Sequence, residues 1–274
     1  TSGSFCVFRP RWGRVSSLWS QAGASATFTV KLNSEPTASV TLALSGDASE
    51  GSFSTSSLTF DSTNWSAART VTVTGVDDAI DDGDITYNLA LTAASGDLGY
   101  AAKTAAVSVV NSDDDTAGVS VSTISGNTTE GGATATFTVK LNSEPLQTVT
   151  LSLSSSNTAE GLPSVTSLTF LTSDWSTPQT VTVAGQDDAF VDGNISYAIN
   201  LSGSSSDGTY NGKTASVSLV NVDNDTPSIS ASALSSSTTE AGSTATFTVK
   251  LTTAPTDNVS VGLTGIDSTE SSFS

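Results

Sequence analysis

Residues 135–141 read Ala-Thr-Phe-Thr-Val-Lys-Leu, and this stretch is the strongest fold signal in the chain. Apolar and polar side chains alternate along it, which is the period of a β-strand with one buried face and one solvated face. The same seven residues stand at 26–32 and at 245–251, so the stretch returns after 109 and then 110 residues. A repeating unit of this length can form a domain with its own core and is too long for one turn of a solenoid.

Other landmarks keep the same period, since Trp65 returns as Trp175 and Tyr87 as Tyr197. We therefore predict a degraded repeat 1, a complete repeat 2 and a truncated repeat 3, preceded by a segment that does not repeat. That first segment holds three of the nine basic residues and the sole cysteine, and we interpret it as a translation-frame artefact or a cloning scar. The predicted boundaries are 1–16 for this segment, then 17–116, 117–226 and 227–274 for the three repeats.

Repeat 2 divides into seven short runs with the alternating pattern of half-buried strands, here named A to G. Ser and Thr fill most of the outward positions, which suits a solvated pleated face. No stretch shows a helical period. The sequence therefore predicts an all-β protein made of tandem Ig-like Greek-key β-sandwich repeats of about 110 residues each. The runs are 119–124, 134–141, 149–153, 167–171, 180–183, 195–201 and 214–220.

Composition excludes several classes of function. The formal net charge is −18, from 27 acidic and 9 basic residues. Such a chain cannot neutralise phosphates and is unsuited to nucleic acid or to anionic lipid. There is no His, and Cys6 is the only thiol, so zinc sites and internal disulfides are not expected. No apolar run of about 18 residues is present, and we predict no membrane insertion.

Acidic residues concentrate at one predicted end of each sandwich. If successive strands alternate in direction, the A–B, C–D and E–F loops lie at the same end as the exit of strand G. In repeat 2 this end holds Glu130, Glu160, Asp187, Asp188, Asp192, Asp223 and Asp225, whereas the other end holds Glu144, Asp174 and Asp207. In repeat 1 the same end holds Glu50, Asp77, Asp78, Asp81, Asp82, Asp84, Asp113, Asp114 and Asp115.

Crowded carboxylates without basic neighbours repel one another, at about 1 kcal/mol per pair in water for a separation of about 4 Å. A divalent cation relieves this repulsion. Ca²⁺ takes about 6–8 oxygen ligands, which Asp-rich loops supply, whereas Mg²⁺ keeps its waters and demands a near-octahedral shell. The alternative interpretation of the acidic end is a solvated, mutually repulsive cap that keeps the repeats soluble.

Three motifs of repeat 2 together carry a family resemblance. They are residues 129–132 (Thr-Glu-Gly-Gly) before strand B, 185–188 (Gly-Gln-Asp-Asp) with 192–193 (Asp-Gly) after strand E, and 220–225 (Val-Asn-Val-Asp-Asn-Asp) at the end of strand G. Repeat 1 ends on a similar junction at 113–118. With these motifs, residues 17–274 resemble repeats of the Calx-β domain, a family common in large bacterial surface proteins.

The resemblance implies that Ca²⁺ is held by the Glu before strand B, by the acids after strand E and by the acids at the domain junction. Gln21 stands where repeat 2 has Glu130, and Glu50 and Glu160 are the nearest substitutes for the family's C–D loop ligand. Carried over by position, the ligands are Glu130, Asp187, Asp188, Asp192, Asp223 and Asp225 in repeat 2, and Asp77, Asp78, Asp82, Asp113, Asp114 and Asp115 in repeat 1.

The first functional hypothesis is a Ca²⁺-stiffened spacer of an extracellular or cell-surface adhesin, of bacterial origin as the resemblance implies. Its partners would be Ca²⁺ and the neighbouring repeats of the same chain. The alternatives are a module that binds surface polysaccharide or another cell-surface protein, and a passive repeat without a ligand. Trp65 and Trp175 could stack on sugars but are more typical of a plug in the sandwich. We expect no enzyme, because the acids repeat in every domain and no separate base or nucleophile accompanies them.

Overall fold

The computed structural model describes residues 23–264 and Thr269, together with the backbone of Phe5–Phe8. These residues form β-strands, turns and irregular loops and contain no α-helix. Accordingly, the described chain has no helix with the length and apolar character needed to span a membrane. Two compact units are present: the first holds the chain up to Gly118 together with Leu141–Gln147 and Leu171–Ser176, and the second holds the remainder.

The first unit contains two four-stranded sheets whose apolar faces share one core. One sheet has the strand order β1-β2-β6-β4 and the other the order β5-β3-β7-β8, and all pairs are antiparallel. The core includes Phe28 and Val71 from the first sheet and Leu42, Phe60 and Leu91 from the second. The strands are β1 Phe5–Phe8, β2 Ser25–Leu32, β3 Val40–Ser45, β4 Gly51–Phe53, β5 Ser57–Phe60, β6 Arg69–Gly75, β7 Ile85–Ser95 and β8 Thr104–Asn111.

The second unit has the same kind of sandwich, with sheets of the order β9-β11-β15-β13 and β10-β17-β16-β12-β14. A further two-stranded sheet, β18-β19, lies near the end of the described chain. The strands are β9 Val119–Val121, β10 Thr128–Thr129, β11 Thr134–Leu141, β12 Val149–Ser155, β13 Gly161–Pro163, β14 Ser167–Phe170, β15 Gln179–Gly185, β16 Ile195–Ser205, β17 Thr214–Val222, β18 Ile229–Ala231 and β19 Val249–Leu251.

The recurring stretch at 134–141 forms the half-buried strand that its alternation predicts. In β11, Phe137 lies opposite Val181 of β15, while Thr136 lies opposite Thr182. Phe137 and Val181 are buried and the two Thr lie on the outer face, as period-2 alternation requires. In the first unit Phe28 of β2 lies opposite Val71 of β6 in the equivalent way. The all-β sandwich prediction is confirmed.

Strand A is where the structure departs from the prediction. The expected strand 119–124 is limited to β9, which lies on the edge of the β11 sheet. The chain then crosses to the other sheet, where β10 pairs with β17 in parallel, with Thr128 opposite Asn221 and Thr129 opposite Val222. The sequence 122–127 is rich in Ser, Gly and Asn, which interrupt a strand and permit the crossing. The sequence pattern did not predict this parallel pair.

The predicted C–D loops also contain strands that the pattern missed. β4 and β13 are three residues long and pair with the ends of β6 and β15. Their first residues, Gly51 and Gly161, lie against the Tyr87 and Tyr197 hydroxyls, where a Cβ atom would collide. The two Tyr are buried and form part of the cores. Trp65 is half-buried and packs against the first core, in agreement with a plug.

Candidate metal centre

Three carboxylates of the second unit converge where β10 and β17 end. Oxygen atoms of Glu130, Asp223 and Asp225 all lie within 4.8 Å of one another. Glu130 directly follows β10 and Asp223 directly follows β17. Because parallel pairing sets Thr129 beside Val222, the next residue of each strand is an acid at the same level. The Glu130 N–H continues the ladder by donating to the Val222 carbonyl at 3.2 Å.

Asp223 organises the loops around this group. Its Oδ1 accepts the Asp225 N–H at 2.7 Å, and its Oδ2 accepts the Gly193 N–H at 2.8 Å. These amide donors, the Asp225 N–H first, lower the pKa of Asp223 below its ordinary value, so the carboxylate stays ionised. Gly193 has a φ of 79°, in the left-handed region that glycine adopts most readily. The bend there brings the loop after β15 against the end of β17.

Glu130 and Asp225 lie in surroundings that disfavour their negative charge. Glu130 is 5% exposed and has one described donor, the Asn224 N–H at 3.1 Å. The Asp225 Oδ2 is buried and has no hydrogen-bond partner among the described residues. Burial raises the pKa of both carboxyls, and the charge on Asp223 raises both further. No Lys or Arg occurs at 128–133, 186–194 or 221–226 to compensate these charges.

Three further acids, in the loop after β15, act on this group through their charges. Asp187, Asp188 and Asp192 are exposed. The charges on all three raise the pKa of Asp225, and those on Asp188 and Asp192 also raise the pKa of Glu130. Asp188 Oδ1 accepts the Phe190 N–H at 2.7 Å, which shapes the start of the loop. The six acids predicted in repeat 2 thus influence one another, although three of them form the tight group.

Asp113 of the first unit makes the same two hydrogen bonds to backbone amides as Asp223 makes in the second. Asp113 Oδ2 accepts the Gly83 N–H at 2.6 Å, and its Oδ1 accepts the Asp115 N–H at 2.8 Å. Burial raises the pKa of Asp115, with further contributions from Asp113, Asp114, Asp77 and Asp78. Burial, followed by the charges on Asp78, Glu50 and Asp113, raises the pKa of Asp82. All six acids predicted in repeat 1 therefore lie in one electrostatic neighbourhood.

The described part of the first unit nevertheless holds no set of three acids as tight as the one in the second unit. Two of its acids bind backbone amides instead, since Asp81 Oδ2 accepts the Ala117 N–H at 2.8 Å and Asp84 Oδ1 accepts the Asp113 N–H at 3.2 Å. Gln21, the counterpart of Glu130, lies outside the described residues. The segment 1–16 also lies outside them, apart from the backbone of Phe5–Phe8, which pairs with β2.

Acids elsewhere in the fold cap turns. Asp97 accepts the N–H of Thr37 and of Gly99, each at 2.8 Å, and these bonds lower its pKa. Asp61 accepts the hydroxyl and the N–H of Thr63, which lowers its pKa likewise. Such acids are held singly by donors rather than crowded together. The two ends of the sandwich therefore differ in chemistry as well as in the number of acids.

Sequence reasoning missed a buried polar cluster beneath the acids. Asn221 and Thr128 are 1% and 0% exposed, and Asn111 of the first unit is 2% exposed. Glu160 and Glu50, proposed as substitute ligands, are also buried, and each accepts a hydrogen bond from an Asn side chain. The clue available in the sequence was the return of Asn111 as Asn221 and of Glu50 as Glu160, each after 110 residues.

No protein-family model matches this chain, and no curated protein matches its sequence. Among solved structures, a protein of unknown function from Porphyromonas gingivalis W83 is 12% identical, with a TM-score of 0.26, over 75% of this chain and 94% of that one. CBD12 from CALX1.2 is 12% identical, with a TM-score of 0.32, over 74% and 96% of the two chains. The calcium binding domain CBD12 of CALX1.1 is 14% identical, with a TM-score of 0.29, over 67% and 76%. Similarities at this level do not identify a family.

Proposed function

We propose that this chain binds Ca²⁺ at the acidic end of its second unit and serves as a metal-stiffened spacer of a cell-surface protein. The observation that carries the proposal is the group formed by Glu130, Asp223 and Asp225, with a buried oxygen on Asp225 that has no hydrogen-bond partner among the described residues. A buried carboxylate oxygen without a donor is unfavourable unless a cation compensates it. A hard divalent ion is the cation whose ligands are carboxylate and carbonyl oxygens.

Ca²⁺ fits this donor set better than other ions do. The chain has no His, and no Cys stands near these loops, so nitrogen and sulfur donors for zinc or copper are absent from the sequence around the site. Three carboxylates with neighbouring Asp187, Asp188 and Asp192 can supply a large oxygen shell from the loops that carry them. Mg²⁺ demands a rigid octahedron and gives up its waters reluctantly, so we expect it to bind more weakly.

The acidic loops also contact the sequence repeat that follows. Ala79, next to Asp78, accepts the N–H of Glu144 at 2.6 Å within the first unit. Ala189, next to Asp188, accepts the N–H of Ala254 at 2.7 Å within the second. An ion held by these loops would restrict the backbone that makes the contacts. This supports a spacer in which metal binding stiffens the connection between successive repeats.

Calcium titration of the full chain by calorimetry tests the proposal. We expect saturable binding in the range of about 10⁻⁴–10⁻³ M that is typical of extracellular modules, with weaker binding of Mg²⁺. Asp225→Asn should weaken the binding, because it removes the charge of the unpartnered carboxylate. Glu35→Gln is the matched control, since Glu35 is exposed and lies in the turn after β2. Absence of calcium binding, or equal weakening by both variants, would refute the proposal.

A further inference from the structure

We propose that Thr128 and Asn221 are positioning residues of the cation site, and that their contact sets the spacing between the chain segments that carry its carboxylates. The inference rests on the proposed function. It assigns to two buried neutral side chains a role in calcium affinity that does not require either to be a ligand of the ion. The two residues face each other across the parallel pair β10·β17, two positions before Glu130 and Asp223 respectively.

Asn221 connects three segments around the site. Its Nδ2 donates to Glu160 Oε2 at 3.3 Å and to the carbonyl of Gln186, the residue before Asp187, at 2.9 Å. Its Oδ1 accepts from the Thr128 hydroxyl at 3.0 Å. One amide group thus reaches the start of β13, the loop after β15 and the end of β10. Because Asn221 is buried, these bonds form without competition from water.

The Thr128 hydroxyl joins this amide to the sandwich core. It lies 2.9 Å from the Tyr197 hydroxyl, which is itself held in the core of the second unit. With the Thr128 proton directed to Asn221 Oδ1, Tyr197 is the group that donates to Thr128. β10 is two residues long, so its main-chain hydrogen bonds alone fix it weakly. The series of buried side chains Tyr197–Thr128–Asn221 supplies the anchorage that such a short strand lacks.

The first unit provides a natural comparison. Asn111 repeats two of the three contacts, donating to Glu50 Oε2 at 3.2 Å and to the Val76 carbonyl at 3.0 Å. Its Oδ1 and the Tyr87 hydroxyl have no partner among the described residues. The residue one period before Thr128 is Trp19, which carries no hydroxyl.

Thr128 and Asn221 thus position the carboxylates, and the carboxylates bind the ion. Parallel pairing places Glu130 and Asp223 side by side only while Thr128 stays in register with Asn221. If the contact between Thr128 and Asn221 is lost, β10 can separate from β17, and Glu130 moves away while Asp223 stays at the end of the long strand β17. The carboxylates are then no longer held at a spacing that one ion can bridge. Groups that orient metal ligands in this way commonly change metal affinity by about 10- to 100-fold.

Calcium calorimetry and thermal melting of full-length Thr128→Val test this role. Val keeps the shape of Thr and removes the hydroxyl, so we expect calcium binding to weaken by about tenfold. Thr128→Ser restores the hydroxyl and should bind within about threefold of the unsubstituted chain. Val139→Ala is the control for general destabilisation, because Val139 is buried in β11 away from these contacts. It should lower the melting temperature and leave the calcium affinity unchanged.

The outcomes separate this inference from the proposed function. If the unsubstituted chain binds Ca²⁺ and Thr128→Val binds it equally well, the positioning role is refuted while the calcium site stands. The positioning role is also refuted if Thr128→Val and Val139→Ala weaken binding alike, since the effect is then one of stability. If the unsubstituted chain binds no Ca²⁺, the proposed function fails and this inference fails with it.

Discussion

Replacing Glu130 by Gln is expected to raise the stability of the metal-free chain and to reduce the stabilisation that calcium adds. Gln keeps the size of the side chain and an oxygen that can accept the Asn224 N–H. It removes a negative charge that is 5% exposed and faces Asp223 and Asp225. Without metal the change relieves repulsion, whereas with metal it removes a ligand.

The separation of the carboxylates sets the repulsion energy that Glu130→Gln removes. At the 4.8 Å limit of this group, Coulomb's law assigns each pair about 0.9 kcal/mol in water and about 3.5 kcal/mol at an effective dielectric constant of 20. Glu130 takes part in two such pairs, so even the aqueous value relieves about 2 kcal/mol. For one sandwich domain, this gain in the free energy of unfolding corresponds to a rise in melting temperature of about 4–8 °C in chelator.

In saturating calcium the loss of a ligand offsets most of this gain. A ligand present at 100 times its Kd stabilises the folded chain by about 2.7 kcal/mol. A tenfold loss of affinity on removing one carboxylate lowers that gain by about 1.4 kcal/mol. The increment in melting temperature between chelator and calcium should therefore shrink in Glu130→Gln relative to the unsubstituted chain.

Differential scanning calorimetry in chelator and in calcium, at low ionic strength, measures both effects. Glu35→Gln loses the same charge from an exposed turn and should leave the calcium increment unchanged. The reasoning is refuted if Glu130→Gln melts lower than the unsubstituted chain in chelator and keeps the full calcium increment. That pattern would mean that Glu130 stabilises the metal-free fold through its hydrogen bond and does not bind the ion.

Three further substitutions test other features of the two sandwiches. Ala102 has a φ of 55°, so Ala102→Gly should stabilise the chain by about 1 kcal/mol in urea unfolding. Gly161→Ala would press a Cβ atom against the Tyr197 hydroxyl and should cost about 2 kcal/mol in the same assay. The Thr37 N–H lowers the pKa of Asp97, so Asp97 stabilises the fold above its unfolded pKa and loses this effect as pH falls through the folded pKa. Asp97→Asn should therefore be less stable at neutral pH, and the difference in urea midpoint should shrink as pH falls below about 4 and vanish below the lowered folded pKa of Asp97.

Most of the strands could be predicted from the sequence because each depends on local alternation. Phe137 and Val139 point inward wherever the 134–141 stretch is paired, and Val181 and Val183 fit the opposite strand. The collection of acids at one end also followed from the sequence, since it needs only the order of strands and loops. The crossing of strand A to the other sheet did not follow, because β10 is two residues long and its pairing is with a strand about 90 residues away.

The tight group of carboxylates lay beyond sequence reasoning for the same physical cause. Twelve acids were predicted as ligands from their positions in the sequence. Among the described residues, only Glu130, Asp223 and Asp225 approach within 4.8 Å of one another. Their approach depends on the register of β10 with β17 and on the buried Asn221, which are long-range contacts. The alternating strands, the 110-residue period and the charge at one end are evident from the sequence alone, since these are properties of neighbouring residues and of chain order. Which oxygens can share an ion was decided by tertiary structure, because it depends on distances between segments that only the packed sheets bring together.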